Sequence, residues 1–273
     1  GTGGFAIKNA SIGAYDSTYI HLVIGIFMAL SGVNFSLYYL LYKGKWKEVI
    51  KDGELKLYLG IISAATLLIA LNINKDIYHN IGLALRDAFF QVSSIITTTG
   101  YATADFDKWP TFSKTILFLL MFVGGCAGST GGGITSIRIL VLLKLIKREI
   151  SKIFHPRAVI PVKIGDKVVP NDVVASITSF FALYMAIFVI GTLAISLEGI
   201  DFESSMGAVA ATLGNIGPGL GLVGPTRTYS QFSNLGKLLL SLFMLLGRLE
   251  LFTIIALFAP STWNKEILSK NIN

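Results

Sequence analysis

The apolar residues of this chain fall in long, nearly continuous blocks rather than in the narrow stripe of a soluble amphipathic helix. A membrane-spanning helix needs about 20 mostly apolar residues. Four blocks approach or exceed that length and predict spanning helices, at residues 20–42, 55–71, 173–197 and 238–260. The pattern therefore predicts an all-α membrane protein.

A fifth apolar block, residues 116–146, is long enough to span but is interrupted at its centre by the run GGCAGSTGGG, residues 124–133. We call this run the Gly-rich loop. Two further apolar segments, residues 79–97 and 202–213, are too short or too polar to cross a bilayer, and each ends in a run of small residues. Half-length helices that end at such runs are typical of re-entrant segments.

These elements repeat along the chain, and a repeat has to be recognised before a fold is assigned. The order spanning helix, short helix, small-residue loop, spanning helix runs over residues 55–146 and again over residues 173–260. The opening GTGGF, residues 1–5, followed by the block at 20–42, matches the end of an earlier copy. The positions that correspond in the three copies are Gly4, Gly100 and Gly217.

Composition and charge support a membrane location. Hydrophobic residues make up 53% of the chain and charged residues only 14%, whereas about 25% is usual in soluble domains. The net charge of +7 does not indicate nucleic-acid binding, because five Lys lie in residues 42–56 and seven Lys or Arg in residues 144–167, both between apolar blocks. Such clusters mark cytoplasmic loops. The small-residue loops then open on the opposite side.

The chain begins with Gly1 and carries no signal peptide, so we expect it to be an internal piece of a longer protein. Its single cysteine, Cys126, excludes a disulfide within the chain. Because Cys126 lies among glycines, we expect it to be a packing residue rather than a nucleophile.

The small-residue loops are candidates for ion coordination. Backbone outside a helix is tolerated in a membrane only where protein buries it or water lines it. Glycine adopts positive φ without steric cost, and a ring of carbonyl oxygens can replace the water shell of potassium. The alternative is that the glycines only permit close helix packing, but three matching copies favour an ion path. We predict three filter segments whose backbone carbonyls bind K+: Thr2, Gly3 and Gly4; Thr98, Thr99 and Gly100; Asn215, Ile216 and Gly217.

The Gly-rich loop is a candidate gate. Gly124 follows Lys114 by ten residues and Arg248 follows Lys237 by eleven, so both should lie about 15 Å into a core roughly 30 Å thick. A lone arginine there is costly and should find acceptors. We predict that Arg248 holds the loop across the pore; the alternative is an ion pair of Arg248 with Glu250 or Asp87. The predicted gate residues besides Arg248 are Gly124, Gly125, Gly128, Ser129, Thr130, Gly131, Gly132 and Gly133.

Five stretches together resemble the Trk/Ktr/HKT superfamily of potassium transporters, most closely its bacterial TrkH family. They are GTGGF at 1–5, TTTGY at 97–101, the Gly-rich loop, NIGPGLG at 215–221 and GRLE at 247–250. The resemblance implies helix–pore-loop–helix repeats, four in number, around one central pore, with the Gly-rich loop as an intramembrane gate. It assigns residues 1–54 to the end of the second repeat, 55–150 to the third, 151–172 to a cytoplasmic loop, and 173–273 to the fourth repeat with a C-terminal tail.

The resemblance also implies function and partners. It implies potassium uptake across the bacterial cytoplasmic (inner) membrane through a channel-like, multi-pass protein that forms a homodimer and binds a cytosolic nucleotide-binding regulatory subunit of TrkA type. The connection 144–167 would either dock that subunit or merely orient the chain. K+ is then the transported ion, and we expect no organic cofactor, no nucleic acid and no enzymatic activity.

One alternative function stays open at this stage. A Na+- or H+-coupled secondary cation transporter would also contain discontinuous helices. The repeats here share one orientation, which favours a pore. Selectivity for K+ over Na+ is not fixed by the sequence, since one of four filter strands is not present.

Overall fold

The computed structural model describes residues 3–165, 167–249 and 251–258. Over these residues the chain forms eleven α-helices and one short antiparallel hairpin, which confirms the predicted all-α class. The helices are α1 Thr18–Ser31, α2 Phe35–Tyr42, α3 Trp46–Lys51, α4 Gly53–Ile73, α5 Ile81–Ile96, α6 Thr111–Leu120, α7 Ser136–Phe154, α8 Asn171–Ser196, α9 Phe202–Leu213, α10 Asn234–Arg248 and α11 Leu251–Phe258. The hairpin pairs β1 Lys163–Ile164 with β2 Lys167–Val168.

The order of the helices repeats along the chain. A long helix, a short helix, a loop and a third helix occur as α4, α5 and α6, and again as α8, α9 and α10. The short helix α5 packs against α4 and α1, and α9 packs against α8 and α10. Each of these two helices therefore lies between two others, and most side chains of α9 are buried. This explains their content of Ser, Ala and Gly, since small side chains let neighbouring helices approach closely.

The outer faces of the long helices are apolar. Within the described residues, α4 with its π-helical continuation Asn74–Tyr78 and α8 are each long and apolar enough to span a membrane, and the bent pair α1–α2 would make a third span. Leu67 and Leu71 on α4 and Ile190 and Leu193 on α8 are exposed. Apolar faces of this extent are typical of surfaces that contact lipid or another protein.

The predicted continuous helix at residues 20–42 is wrong. It is broken between Ser31 and Phe35, and α1 and α2 meet at 94°. Asn34 caps α2 by accepting from the Ser36 N–H at 2.9 Å. In an unbroken helix the Ser31 and Gly32 carbonyls would accept from residues 35 and 36; here they accept from the Gly-rich loop instead.

The predicted continuous helix at residues 238–260 is also wrong. The helix α10 ends at Arg248, and α11 begins at Leu251. Near the end of α10 the Asn215 side chain donates to the Met244 carbonyl at 3.1 Å, and the Leu249 N–H closes the last helical turn on Leu245 O at 3.0 Å. By contrast, the predicted interruption of residues 116–146 is present, since α6 ends at Leu120 and α7 begins at Ser136.

The connection between α7 and α8 is shorter than the predicted loop at residues 151–172. The helix α7 continues to Phe154, and α8 begins at Asn171. Between them the described residues form the β1–β2 hairpin, whose Lys163 carbonyl accepts from the Lys144 ammonium group of α7. This contact ties the hairpin to the helix before it.

Candidate functional site

The described parts of the three predicted filter segments meet backbone to backbone; Thr2 lies outside the described residues. The Gly4 N–H donates to the Thr99 carbonyl at 2.8 Å. A Cβ added to Gly100 would overlap the Ile216 carbonyl oxygen and lie 2.6 Å from the Gly4 nitrogen. A Cβ on Gly217 would overlap the Gly3 carbonyl oxygen. Glycine is therefore required at the point where the segments meet.

The second and third of these segments adopt the same backbone conformation. Positive φ occurs at Thr98 (54°) and Gly100 (78°), and at the corresponding Asn215 (58°) and Gly217 (107°). The amide between each pair points back into the short helix before it, α5 or α9: the Thr99 N–H donates to Ser94 O at 2.8 Å, and the Ile216 N–H donates to Ala211 O at 2.9 Å. Positive φ at a non-glycine residue is uncommon and clusters at functional sites. Its recurrence at matching positions indicates one motif built twice.

Two of the segment carbonyls have protein donors. Thr99 O accepts from Gly4, as described, and Gly217 O accepts from the hydroxyl of Tyr229 at 2.6 Å. The Tyr229 ring stacks on Phe232 with centroids 5.7 Å apart. Tyr229 lies outside every motif that we used, so the sequence analysis missed it.

The Gly-rich loop lies directly against these segments. The Gly132 N–H donates to the side-chain oxygen of Thr98 at 2.9 Å. A Cβ on Gly132 would lie 3.0 Å from the Gly214 carbonyl oxygen and 3.3 Å from the Asn215 Cβ. The loop therefore contacts the residues that directly follow α5 and α9, where the second and third predicted filter segments begin.

The loop is closed at its base by its own backbone. The Gly124 N–H donates to Ile134 O at 2.7 Å, and the Ser136 N–H and hydroxyl donate to Gly125 O and Gly124 O at 2.9 and 2.8 Å. Within the loop, the Ser129 hydroxyl accepts from the Gly131 N–H at 3.3 Å. Gly128 and Gly133 have positive φ, 70° and 71°, which permits the reversal of direction at these points.

The loop also pairs with the break between α1 and α2. The Cys126 N–H donates to Gly32 O at 2.8 Å, and the Thr130 hydroxyl donates to Ser31 O at 3.3 Å. In the opposite direction the Phe35 N–H donates to Gly128 O at 3.3 Å. The α1–α2 break and the Gly-rich loop thus supply hydrogen-bond partners for each other's backbone groups, which have no partners within a helix.

Arg248, the predicted holder of the loop, lies within hydrogen-bonding distance of it. Its Nη1 donates to the Thr130 carbonyl at 3.2 Å, and its side chain borders a cavity of about 100 Å³ beneath the loop. The alternative partner Asp87 is engaged elsewhere, by Arg86 at 2.9 Å and by the Tyr78 hydroxyl at 2.8 Å. Glu250, the other alternative, lies outside the described residues.

A second charged residue at the loop was not predicted. Glu54, at the start of α4, is only 5% exposed. One carboxylate oxygen accepts from the Ala127 N–H at 2.6 Å and from the Ile137 N–H at 2.9 Å. In sequence Glu54 follows Glu48 and Asp52 at the end of a lysine-rich connection, a context that is usually solvated, so no motif marked it.

The geometry agrees with what comparison with known proteins finds. The family model of TrkH, described as a cation transport protein, matches residues 1–267. The chain belongs to the TrkH family. Its similarity to this family was expected from five short stretches and is confirmed over almost the whole length.

Several members of the TrkH family are similar to this chain. The Trk system potassium uptake protein TrkH of Escherichia coli K12 is 38% identical over 265 residues, which cover 96% of this chain and 54% of that protein. The Trk system potassium uptake protein TrkG of the same organism is 37% identical over 262 residues. The chain thus spans about half the length of the relatives that it matches.

A solved structure in the TrkH family has the same fold. The crystal structure of the potassium transporter TrkH from Vibrio parahaemolyticus matches with a TM-score of 0.87 and 38% sequence identity. The match covers 96% of this chain and 56% of that one. The arrangement of helices described above is therefore the arrangement of a known transporter over the matched part.

Proposed function

We propose that the protein to which this chain belongs takes up potassium across the bacterial cytoplasmic membrane through a channel-like pore. The filter is formed by backbone oxygens of the segments ending at Gly4, Gly100 and Gly217. The observation that carries the proposal is the direct backbone contact of the three segments, in which any side chain would collide. Dehydrated K+ is coordinated by rings of such oxygens. The relatives named as potassium uptake proteins support the choice of ion.

The helix ends favour a cation at this place. Both pore helices, α5 and α9, end at the filter segments, so their carbonyl ends carry partial negative charge toward the ion. The segments line a cavity of about 620 Å³, which supplies an aqueous approach. Non-helical backbone at membrane depth is tolerated here because it lines a water-filled path.

The Gly-rich loop is the gate in this proposal. It contacts the Thr98 hydroxyl oxygen, where the second filter segment begins, and Arg248 holds it from the far side through Thr130. An ion that leaves the filter would meet this loop before it reached the inner solution. Opening requires the loop to withdraw from Thr98 and from the α1–α2 break.

The test is ion flux through the full-length protein in liposomes. We expect uptake of K+ and Rb+ down an imposed gradient, with much slower uptake of Na+. Flux that requires a proton or sodium gradient would favour the Na+- or H+-coupled transporter instead. Empty liposomes would give the background.

The partners follow from the same proposal. We propose a homodimer that binds a cytosolic nucleotide-binding regulatory subunit of TrkA type. The basic connection 144–167 is the candidate docking surface; Arg157, Lys163 and Lys167 in it are exposed. Co-purification of the full-length protein with such a subunit, compared with a variant in which these three residues are replaced by Ser, tests the assignment.

A further inference from the structure

We propose that Glu54 is the positioning residue that fastens the inner side of the Gly-rich loop and couples it to the start of α7. The inference rests on the proposed function, in which this loop is the gate. Arg248 was expected to hold the loop; Glu54 holds it from a different helix and at a different point.

Glu54 contacts both the Gly-rich loop and the helix that follows it. Its Oε1 atom accepts from Ala127, inside the loop, and from Ile137, the second residue of α7. The side chain is 5% exposed, so these hydrogen bonds are sheltered from water. A buried carboxylate is tolerated only when its charge is compensated. The N–H groups and partial positive charge at the start of a 19-residue helix provide that compensation.

The segment that contains the Gly-rich loop contacts α4 near both of its ends. The Ser113 hydroxyl of α6 donates to the Asn72 side chain near the outer end of α4 at 2.7 Å. Glu54 lies at the inner end of the same helix, about 27 Å away along the axis at 1.5 Å per residue. The polypeptide from Ser113 to Ala127 therefore follows the whole length of α4, and Glu54 is its inner attachment.

Glu54 also connects the gate to the basic side of the molecule. Beyond Ile137 the helix α7 carries Lys144, Lys147, Arg148 and Lys152 and leads to the hairpin that Lys144 contacts. A displacement of α7 would pull on the carboxylate that also holds Ala127. Because one oxygen serves both N–H groups, the loop and the helix cannot separate without breaking at least one of these bonds.

Cys126, next to Ala127, provides a direct readout. It is 1% exposed, and it is the single cysteine of residues 1–273. In the full-length protein, with any cysteine elsewhere replaced, the rate of labelling by a small maleimide reports how often the loop opens. We expect Glu54→Ala to raise this rate by about tenfold, since both backbone hydrogen bonds to the carboxylate are lost.

Two further variants distinguish the effect of side-chain length at position 54 from the effect of its charge. They also provide a test if Glu54→Ala does not fold. Glu54→Gln keeps an oxygen at the same place and should label within about twofold of the parent protein, whereas Glu54→Asp keeps the charge but is too short and should label about as fast as Glu54→Ala. Glu48→Ala is the matched control, an exposed carboxylate on α3 paired with Lys45, and should have no effect.

The outcomes are decisive for the proposal. Parent-like labelling of folded Glu54→Ala and Glu54→Asp would overturn it, and so would Glu54→Gln labelling as fast as Glu54→Ala. If Glu54→Ala does not fold, the Asp variant answers the question. The readout uses no ion flux, so a protein that labels as expected but conducts no potassium would refute the proposed function while the attachment by Glu54 stands.

Discussion

The Nη1 atom of Arg248 lies 3.2 Å from the carbonyl oxygen of Thr130 and joins the end of α10 to the middle of the Gly-rich loop. A guanidinium group offers five donors in a fixed geometry, which suits a loop whose carbonyls have left helical bonding. The bond thus connects the break after α10, in the last repeat, with the Gly-rich loop of the repeat before it. It makes the position of the loop depend on the position of α10.

We expect Arg248→Ala to favour the open loop. Loss of a hydrogen bond from a charged donor removes about 1.5 kcal/mol, or about tenfold in the closed-to-open ratio. Single-channel recording of the full-length protein should show a higher open probability with unchanged unitary current. Lys45→Ala is the control, because Lys45 is an exposed cation outside the loop that pairs with Glu48 at 3.0 Å. Unchanged open probability in folded Arg248→Ala would refute the gate.

Gly100→Ala tests the filter. Its new Cβ would overlap the Ile216 carbonyl oxygen and crowd the Gly4 nitrogen, and both are backbone atoms that cannot rotate away. Overpacking of this kind costs about 1–3 kcal/mol, so we expect K+ flux to fall by at least about tenfold. The measurement is Rb+ uptake into liposomes.

Gly199→Ala is a matched control for that experiment. Gly199 has φ 76°, close to the 78° of Gly100, but a Cβ there has no neighbour within 4 Å. It therefore introduces the same backbone strain without the collision. Equal losses of flux in the two variants would show that strain, and not contact between filter segments, accounts for the effect.

A helix break can be predicted from the sequence when neighbouring residues cause it, and not when contacts with distant residues cause it. The interruption at residues 124–133 is predictable because glycines at that density disfavour a helix locally. The break at Gly32 was missed, because Ser31, Gly32 and Asn34 interrupt the apolar block only briefly. The carbonyls at this break are held by Cys126 and Thr130, about 100 residues away. Local pattern thus identifies breaks with a local cause.

The same distinction holds for the candidate site. Arg248 was identifiable because a charge in an apolar block requires a partner. Glu54 was not, because it follows Asp52 and several lysines in a connection that reads as solvated, and only the fold brings Ala127 and Ile137 to it. Tyr229 was missed for the same reason, since a tyrosine near an aqueous loop has no distinguishing pattern.

Glu198 leads to a prediction about pH. Hydrogen bonds from the Ser233 hydroxyl and N–H hold the pKa of the Glu198 carboxyl below its usual range. A lowered pKa stabilises the folded state above the unfolded value, about 4.3, and this contribution is lost as the pH falls through the folded value. The group is partly exposed and water screens its charge, so its contribution is no more than about 1 kcal/mol.

We therefore expect Glu198→Gln to flatten the pH dependence of unfolding. The melting temperature of the parent protein should decline more steeply than that of the variant between about pH 5 and about pH 3. Glu48→Gln, an exposed carboxylate without such bonds from a helix N-terminus, should leave the profile unchanged. Parallel profiles for parent and Glu198→Gln would contradict the assignment.

Tyr229 should set the rigidity of the filter segment that ends at Gly217. Its hydroxyl donates to Gly217 O at 2.6 Å while its ring stacks on Phe232, so Tyr229→Phe removes the bond and keeps the packing. The released bond is worth about 1 kcal/mol, and a less constrained carbonyl can adapt to a smaller ion. We expect the ratio of Rb+ to Na+ uptake to fall by about fivefold, chiefly through faster Na+ uptake. Tyr19→Phe, which removes the hydroxyl of an exposed tyrosine, should leave the ratio unchanged. A parent-like ratio in Tyr229→Phe would refute a role of this hydroxyl in selectivity.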